Sequence, residues 1–319
     1  MKAAVLHALG KCPRYEDFPD PRPAADEVLI HVKAVALENI DKAMAAGTHF
    51  AHRQFLSRLP AVVGFDGIGA LADGRLVGFG GMKPPYGAMA DLVVTARTVP
   101  VPEGMDAVTA AAVPASTLTS LIPLKLGARL QSGETVLVNG ATGVSGGVAV
   151  QVARLLGAGR VIGTGRNPES LKRVLGLGAD AVINLEQDDG ALRADFRKNA
   201  GGGYDVVLDF LWGRPTEVLL STLVPEELRF AKPVRLVQIG EKAGPLLHLT
   251  ADSIRTSGLE IFGGASRLDP AGMESCVKTA YEWIREGKVS MEIEQIPLKD
   301  IESAWERDDF HGRRIVIIP

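Results

Sequence analysis

The segment Val136-Leu-Val-Asn-Gly-Ala-Thr-Gly-Val-Ser-Gly146 restricts the fold more than any other stretch of the 319-residue chain. Three β-favouring residues run into a glycine-punctuated turn, and a helix pattern follows at once. A chain wraps the pyrophosphate of a dinucleotide in this way. Small residues let the backbone approach the phosphates, and a helix N-terminus offers unsatisfied N–H groups and a positive dipole end. A glycine pattern alone is weak, so its surroundings decide. Val136, Leu137 and Val138 form the short apolar run of a strand buried on both faces. Val148, Val152, Leu155 and Leu156 share one helical face, and Gly157 is placed to stop that helix. The run Val161-Ile-Gly-Thr164 then completes strand, turn, helix and strand in about 30 residues, the length of one βαβ unit. Ala141 fills the first small position of the G-x-G-x-x-G pattern, Gly143 and Gly146 fill the others, and Gly140 adds a further residue without a side chain. The predicted cofactor contacts are Gly140, Ala141, Thr142, Gly143, Val144, Ser145 and Gly146. A tight turn in some other α/β protein is the alternative.

The end of the second strand discriminates between cofactors. Enzymes that use NAD place Asp or Glu there to accept hydrogen bonds from the ribose hydroxyls. This chain reads Gly165-Arg166-Asn167, with no carboxylate before Glu169, which falls in the next helix. A glycine makes room for a 2′-phosphate, and an arginine neutralises it with a bidentate contact. Gly165, Arg166 and Asn167 therefore predict NADPH rather than NADH. A solvated surface arginine is the alternative reading of Arg166.

A chain of this length exceeds a comfortable single core, so two domains are expected. A net charge of −3 gives no electrostatic reason to expect nucleic acid or an anionic membrane as partner. No apolar run reads as long enough to span a bilayer, and the N-terminus lacks the layout of a signal peptide. Two isolated cysteines, Cys12 and Cys276, make neither a disulfide framework nor a cysteine-rich zinc site. A cytoplasmic protein without a metal is expected.

Three zones follow along the chain. Residues 1–117 are strand-rich and irregular, with strands read at Val28–Val35, Gly64–Leu71 and Leu92–Val94. Residues 118–263 alternate helices with six apolar runs: Val136–Val138, Val161–Thr164, Ala181–Ile183, Val206–Leu208, Leu236–Ile239 and Leu259–Phe262. Six such runs suit a complete doubly wound parallel sheet, an α/β fold. Residues 264–319 contain a helix from Pro270 to Gly287 and a strand Ile315–Ile318 that returns to the first zone. Ligands of such sheets bind outside the carboxyl ends of the strands. That placement adds Asn184, Leu211 and Gly240 to the predicted cofactor contacts, whereas Trp212 reads better as a core or dimer residue.

Further stretches carry a family resemblance. Val63-Gly-Phe-Asp-Gly67, Gly87-Ala-Met-Ala-Asp91, Ala110-Ala-Ala-Val-Pro114, Leu177-Gly-Ala-Asp-Ala-Val182 and Gly203-Tyr-Asp-Val-Val-Leu-Asp209 occur in an order and spacing that, with the glycine turn, cover nearly the whole chain. The chain resembles a medium-chain dehydrogenase/reductase of the zinc-independent quinone oxidoreductase-like branch. The resemblance implies a Rossmann domain, residues 118–263. It is inserted in a GroES-like, β-rich catalytic domain made from residues 1–117 and 264–319. It also implies a homodimer. By alignment, the positions that hold catalytic zinc in the alcohol dehydrogenases of the superfamily read Glu38, Phe65 and Ser116, so no zinc site is expected.

Without a Lewis acid, an acceptor that spreads charge by conjugation is easier to reduce. The expected reaction is hydride transfer from NADPH to a quinone or an α,β-unsaturated carbonyl. Reduction of an enoyl thioester, or NADPH binding with little turnover, are the alternatives. In relatives, the stretch matching Leu37-Glu-Asn-Ile-Asp-Lys42 lines the active-site cleft, which makes Asn39 and Asp41 candidates. Asp66, in place of the zinc enzymes' glutamate, and Tyr86, in a glycine-rich loop, are two more. Ordinary roles stand beside each: Asp41 as a helix cap, Asp66 as an arginine's partner, Tyr86 as loop cover.

Overall fold

A computed structural model describes residues 1–225, 227 and 232–319. The chain divides into two compact units, one of Met1–Val113 with Glu292–Pro319 and one of Pro114–Met291.

The second unit holds a six-stranded sheet. Its strands are β1 (Thr135–Asn139), β2 (Arg160–Gly165), β3 (Ala181–Asn184), β4 (Val206–Asp209), β5 (Val234–Gln238) and β6 (Leu259–Gly263). Their spatial order is β3-β2-β1-β4-β5-β6, and every pair is parallel. This is the doubly wound order, with its switch point between β1 and β4. The predicted apolar runs form these strands because a parallel sheet covered by helices buries both strand faces. Leu137, Ile162, Val207 and Leu236 are fully buried in one cluster; each side chain removed from water contributes roughly 1.5–3 kcal/mol. The Tyr204 hydroxyl, buried in that cluster, donates to the Phe196 carbonyl at 2.7 Å, so its burial leaves no unsatisfied polar atom. Helix α1 (Val144–Leu155) follows β1, and α2 (Pro168–Gly176) follows β2. Helix α3 (Asp189–Ala200) follows β3, and α4 (Gly213–Ser221) follows β4.

The first unit is mainly antiparallel. Lys2–Leu6 pairs with Arg14–Asp17 on one side and Ala61–Val62 on the other. The long strand Val28–Leu37 organises the larger sheet. It pairs with Asp66–Ala70, with Leu92–Thr95, and at its C-terminal half with Arg314–Ile318. The expected return of the tail to the first zone is this last pairing, Leu37 opposite Ile315.

Two expectations need correction. The second boundary lies at 291/292 rather than 263/264, and the first at 113/114 rather than 117/118. The helix Pro270–Arg285 stays with the parallel-sheet unit. Lys125 Nζ bonds to Ser275 Oγ at 3.1 Å, and Gln151 is tied to the Ser290 backbone. A Cβ on Gly272 would stand 2.8 Å from Leu126 Cδ1, so the helix packs too closely there for a side chain. The second correction concerns residues 107–127, which form a helical stretch of 21 residues long and apolar enough to cross a bilayer. Of its most apolar window, 61% is buried inside the protein, as in a core helix.

Candidate functional site

Asn139 ends β1, and Gly140 turns the chain at φ +97°, a left-handed conformation that favours glycine. Two bonds from Thr164 fix the turn: its carbonyl accepts from Ala141 N at 2.8 Å and its hydroxyl from Gly140 N at 2.9 Å. Gly143 is the N-cap of α1 and has no side chain with which to cap it. The first-turn N–H groups are therefore left to an external acceptor, with the helix dipole behind them. Val144 and Ser145 form that first turn, and Thr142 precedes it. A Cβ on Gly146 would lie 2.1 Å from the Gly140 carbonyl oxygen, so the helix and the turn meet backbone to backbone. A Cβ on Gly143 would meet only Gly140 O, at 3.6 Å. The cradle is thus closed behind Gly146 and open at Gly143, which suits a pyrophosphate.

At the end of β2, Gly165 is buried, and a Cβ there would stand 2.2 Å from Thr142 Cγ2. Arg166 is exposed. Glu169, the first carboxylate downstream, pairs with Lys172 at 2.8 Å. Asn167 caps α2, its Oδ1 accepting from Ser170 N at 3.0 Å. Asn184 ends β3 and accepts from Glu186 N at 2.9 Å. Leu211 follows β4, with its side-chain Cδ2 3.0 Å from where a Gly140 Cβ would stand. Gly240 follows β5, where a Cβ would meet Phe210 O at 2.7 Å. All the predicted cofactor contacts therefore lie at the carboxyl edge of the one sheet. Asn167 and Asn184 spend a side-chain oxygen on local turns. Trp212 packs against the apolar cluster of this unit, in line with its reading as a core residue.

The first unit brings Asp41 and Tyr86 together. Both line one small hollow with Met44, Phe55, Phe65 and Met82. The Phe55 and Phe65 rings meet at a tilt of 57° with centroids 4.4 Å apart, and Tyr86 sets its ring edge-on to Phe18 at 5.7 Å. Asn39 opens the helix Asn39–Ala46, and Asp41 stands at its third position, accepting from Glu38 N at 2.8 Å. The helix-cap role is thus present. Asp41 is also almost fully buried, and burial pushes its carboxyl well above the ordinary range. Glu38 and Asp66 add to that rise, while the Glu38 N–H and Arg314 oppose it.

Asp66 is exposed by surface area, yet protein surrounds most of its carboxyl. Burial first, and Glu38 second, push it up to about 6, with Arg314 opposing. Access to water moderates the energy involved without removing the direction. The unfolded chain releases this proton near pH 3.9, so between there and about 6 the folded state holds a proton that the unfolded state has lost. Stability is then lost as pH rises through that window, and the cost is complete above it. Asp66→Asn should therefore stabilise the protein by about 1 kcal/mol at pH 8, a figure discounted for solvent access. The gain should shrink as pH falls to 4.5. Thermal melts at the two pH values check this; a gain that does not change with pH rejects the shift.

Sequence reasoning missed two groups. One is the buried Arg314, which pairs with Glu38 at 3.0 Å. The other is a set of buried polar residues beneath the glycine turn, Asn139, Thr164, Asp209 and Thr216. Both depend on pairing across distant strands, for which one sequence carries no local signal. The zinc positions do not fit zinc. Glu38 is committed to Arg314, Phe65 offers no donor, and among the described residues no group of three or more His, Cys, Asp or Glu could hold a metal ion.

Residues 145–225 match the family described as zinc-binding dehydrogenase. That stretch contains none of positions 38, 65 and 116. A probable NADPH-dependent quinone reductase, tdiC, of Emericella nidulans is 27% identical over 97% of this chain and 97% of its own. An NAD-dependent alcohol dehydrogenase of Sulfolobus acidocaldarius is 26% identical over 82% of this chain and 84% of its own. The quinone oxidoreductase of Thermus thermophilus, solved also as its complex with NADPH, is similar in structure with a TM-score of 0.77. It is 28% identical, and the similarity covers 100% of both chains.

Proposed function

The chain belongs to the medium-chain dehydrogenase/reductase superfamily, in its quinone oxidoreductase-like branch, and on that premise we propose that it is an NADPH-dependent reductase of quinones or α,β-unsaturated carbonyls. The observation that carries the cofactor is the cradle at the carboxyl edge of the sheet: open N–H groups at α1, backbone closure at Gly146, and exposed Arg166 after side-chain-free Gly165. Bound there, NADPH supplies the hydride. The N-terminus of α1 holds the pyrophosphate, and Arg166 neutralises the 2′-phosphate.

The acceptor is chosen by what the chain lacks and what it keeps. The residues at positions 38, 65 and 116 provide no zinc site, so the acceptor itself must spread the incoming charge, as conjugated carbonyls do. The aromatic and sulfur side chains that line the hollow of the first unit offer an apolar wall to a flat acceptor. Tyr86 and Asp41 offer polar groups to its oxygen; Asp66, which keeps a proton up to about pH 6, lies outside that lining. Asn39 is the exposed first residue of the helix that carries Asp41. The proposed working form is a cytoplasmic homodimer, on the resemblance alone.

A steady-state screen of NADPH oxidation tests the proposal. Naphthoquinone, phenanthrenequinone and short enals should be reduced with turnover on the order of 1–10³ s⁻¹, and crotonyl thioesters far more slowly. Preference for the thioester would move the chain to enoyl reduction. Tight NADPH binding with no acceptor reduced would leave a binding protein.

A further inference from the structure

Four polar side chains lie fully buried beneath the nucleotide turn, at the carboxyl ends of β1, β2 and β4 and in α4: Asn139, Thr164, Asp209 and Thr216. Buried polar groups of this kind are costly unless every one is paired. Here they are. Both oxygens of Asp209 face donors only. Oδ1 accepts from Asn139 Nδ2 at 3.0 Å, Leu211 N at 3.0 Å and Trp212 N at 3.1 Å, and Oδ2 accepts from Thr216 Oγ1 at 2.6 Å.

The direction of each remaining bond follows from that carboxylate. Thr216 gives its proton to Asp209, so its oxygen accepts from Asn139 Nδ2, at 3.1 Å. The Asn139 amide is thereby oriented with Oδ1 toward Thr164, whose hydroxyl donates to it at 2.8 Å. The Thr164 oxygen is left to accept the Gly140 N–H at 2.9 Å. One chain of bonds, with one polarity, runs from Asp209 to the first residue of the phosphate turn. A second branch runs from the same carboxylate to the backbone of Leu211 and Trp212, the turn after β4. Asp209 stands 70 residues from Asn139 in sequence and beside it in the sheet, at the switch point between β1 and β4. That crevice is where a doubly wound sheet holds its ligand.

We propose that Asp209 is a positioning residue for the dinucleotide: its carboxylate fixes the turns on both sides of the switch point, and through Asn139 and Thr164 it sets the Gly140 N–H that shapes the pyrophosphate cradle. The proposal rests on the NADPH reading of that cradle. It assigns Asp209 no contact with the reacting atoms. Asp209→Asn would place an amide against donors and break the polarity of the chain. Thr164→Val keeps the side chain's shape and cuts only the link between Asn139 and Gly140.

Calorimetry with NADPH and with adenosine 2′-monophosphate, which lacks the pyrophosphate, tests this beside thermal melts. Thr164→Val and Asp209→Asn should each weaken NADPH about tenfold. They should leave adenosine 2′-monophosphate within twofold of wild type. The double variant should lose little more than the worse single one, since both act through one path. Leu192→Ala, a core variant on α3 outside this chain of hydrogen bonds, should lower the melting temperature and leave both affinities alone. Wild-type affinity for NADPH in Thr164→Val and Asp209→Asn overturns the proposal. So does equal weakening of both ligands, or weakening by Leu192→Ala in proportion to its loss of stability. A wild-type protein that binds neither ligand sinks the NADPH reading itself, and this proposal with it.

Discussion

Gly146→Ala should abolish measurable NADPH binding and destabilise the protein, although it adds a single methyl group. The added Cβ would stand 2.1 Å from the Gly140 carbonyl oxygen and 2.8 Å from both Gly140 C and Ala141 Cα. All three are backbone atoms, so no rotamer change relieves the clash, and either α1 or the turn must move. Overpacking in a well-packed place costs about 1–3 kcal/mol, and a rigid backbone neighbour places this site at the upper end. A melting temperature lower by several degrees is expected, together with NADPH affinity reduced by at least about 100-fold, because the shifted N–H groups no longer converge. Gly143→Ala separates the two effects. Its Cβ would meet only Gly140 O, at 3.6 Å, and its φ of −79° suits alanine, so stability should hold. The methyl group would instead project into the open side of the cradle and weaken NADPH. Wild-type NADPH affinity in Gly146→Ala would remove the assignment of this turn to the pyrophosphate.

The carboxyl edge of the parallel sheet was legible in the sequence because its signals are local. The runs at 136–138, 161–164 and 206–208 need both faces covered, and the glycine spacing sits between two of them. Neither depends on a partner far along the chain. The second boundary was not legible for the opposite reason. The helix Pro270–Arg285 has one apolar face, and that face does not say which sheet it will cover. Its side is decided by Gly272 against Leu126 and by Gln151 against Ser290, contacts over more than a hundred residues. Asp41 shows a different limit. Asp41 reads in the sequence as a family cleft position with a helix cap as the ordinary alternative, and the structure gives the residue both a capping bond and a place in a hollow. In the sequence Asp209 stands out only as the last residue of a family stretch, Gly203–Asp209. Three of its four hydrogen-bond donors lie within seven residues of it, but the Asn139 amide stands 70 residues away, and only the fold brings it there.

Arg166→Ala should weaken NADPH by about 10- to 100-fold and leave NADH nearly unchanged. Hydrogen bonds to a charged group contribute about 1.5–3 kcal/mol, and a guanidinium that meets a 2′-phosphate makes two of them. NADH has no such phosphate, so it has nothing to lose. The side chain is exposed, and its removal should leave the melting temperature almost where it was. Any loss of affinity is then local. The neighbouring residue explains why the preference is not easily reversed. A carboxylate at Gly165 would have to begin with a Cβ 2.2 Å from Thr142 Cγ2, so this strand end cannot take the acid that NAD enzymes place there without displacing the Thr142 side chain. The discrimination rests on Arg166. Wild-type affinity for NADPH should also fall with added salt more steeply than affinity for NADH, and Arg166→Ala should remove that difference. Titrations of both nucleotides at low and high ionic strength measure it. Equal weakening of NADPH and NADH by Arg166→Ala would show that the arginine supports the fold of the edge and does not read the 2′-phosphate.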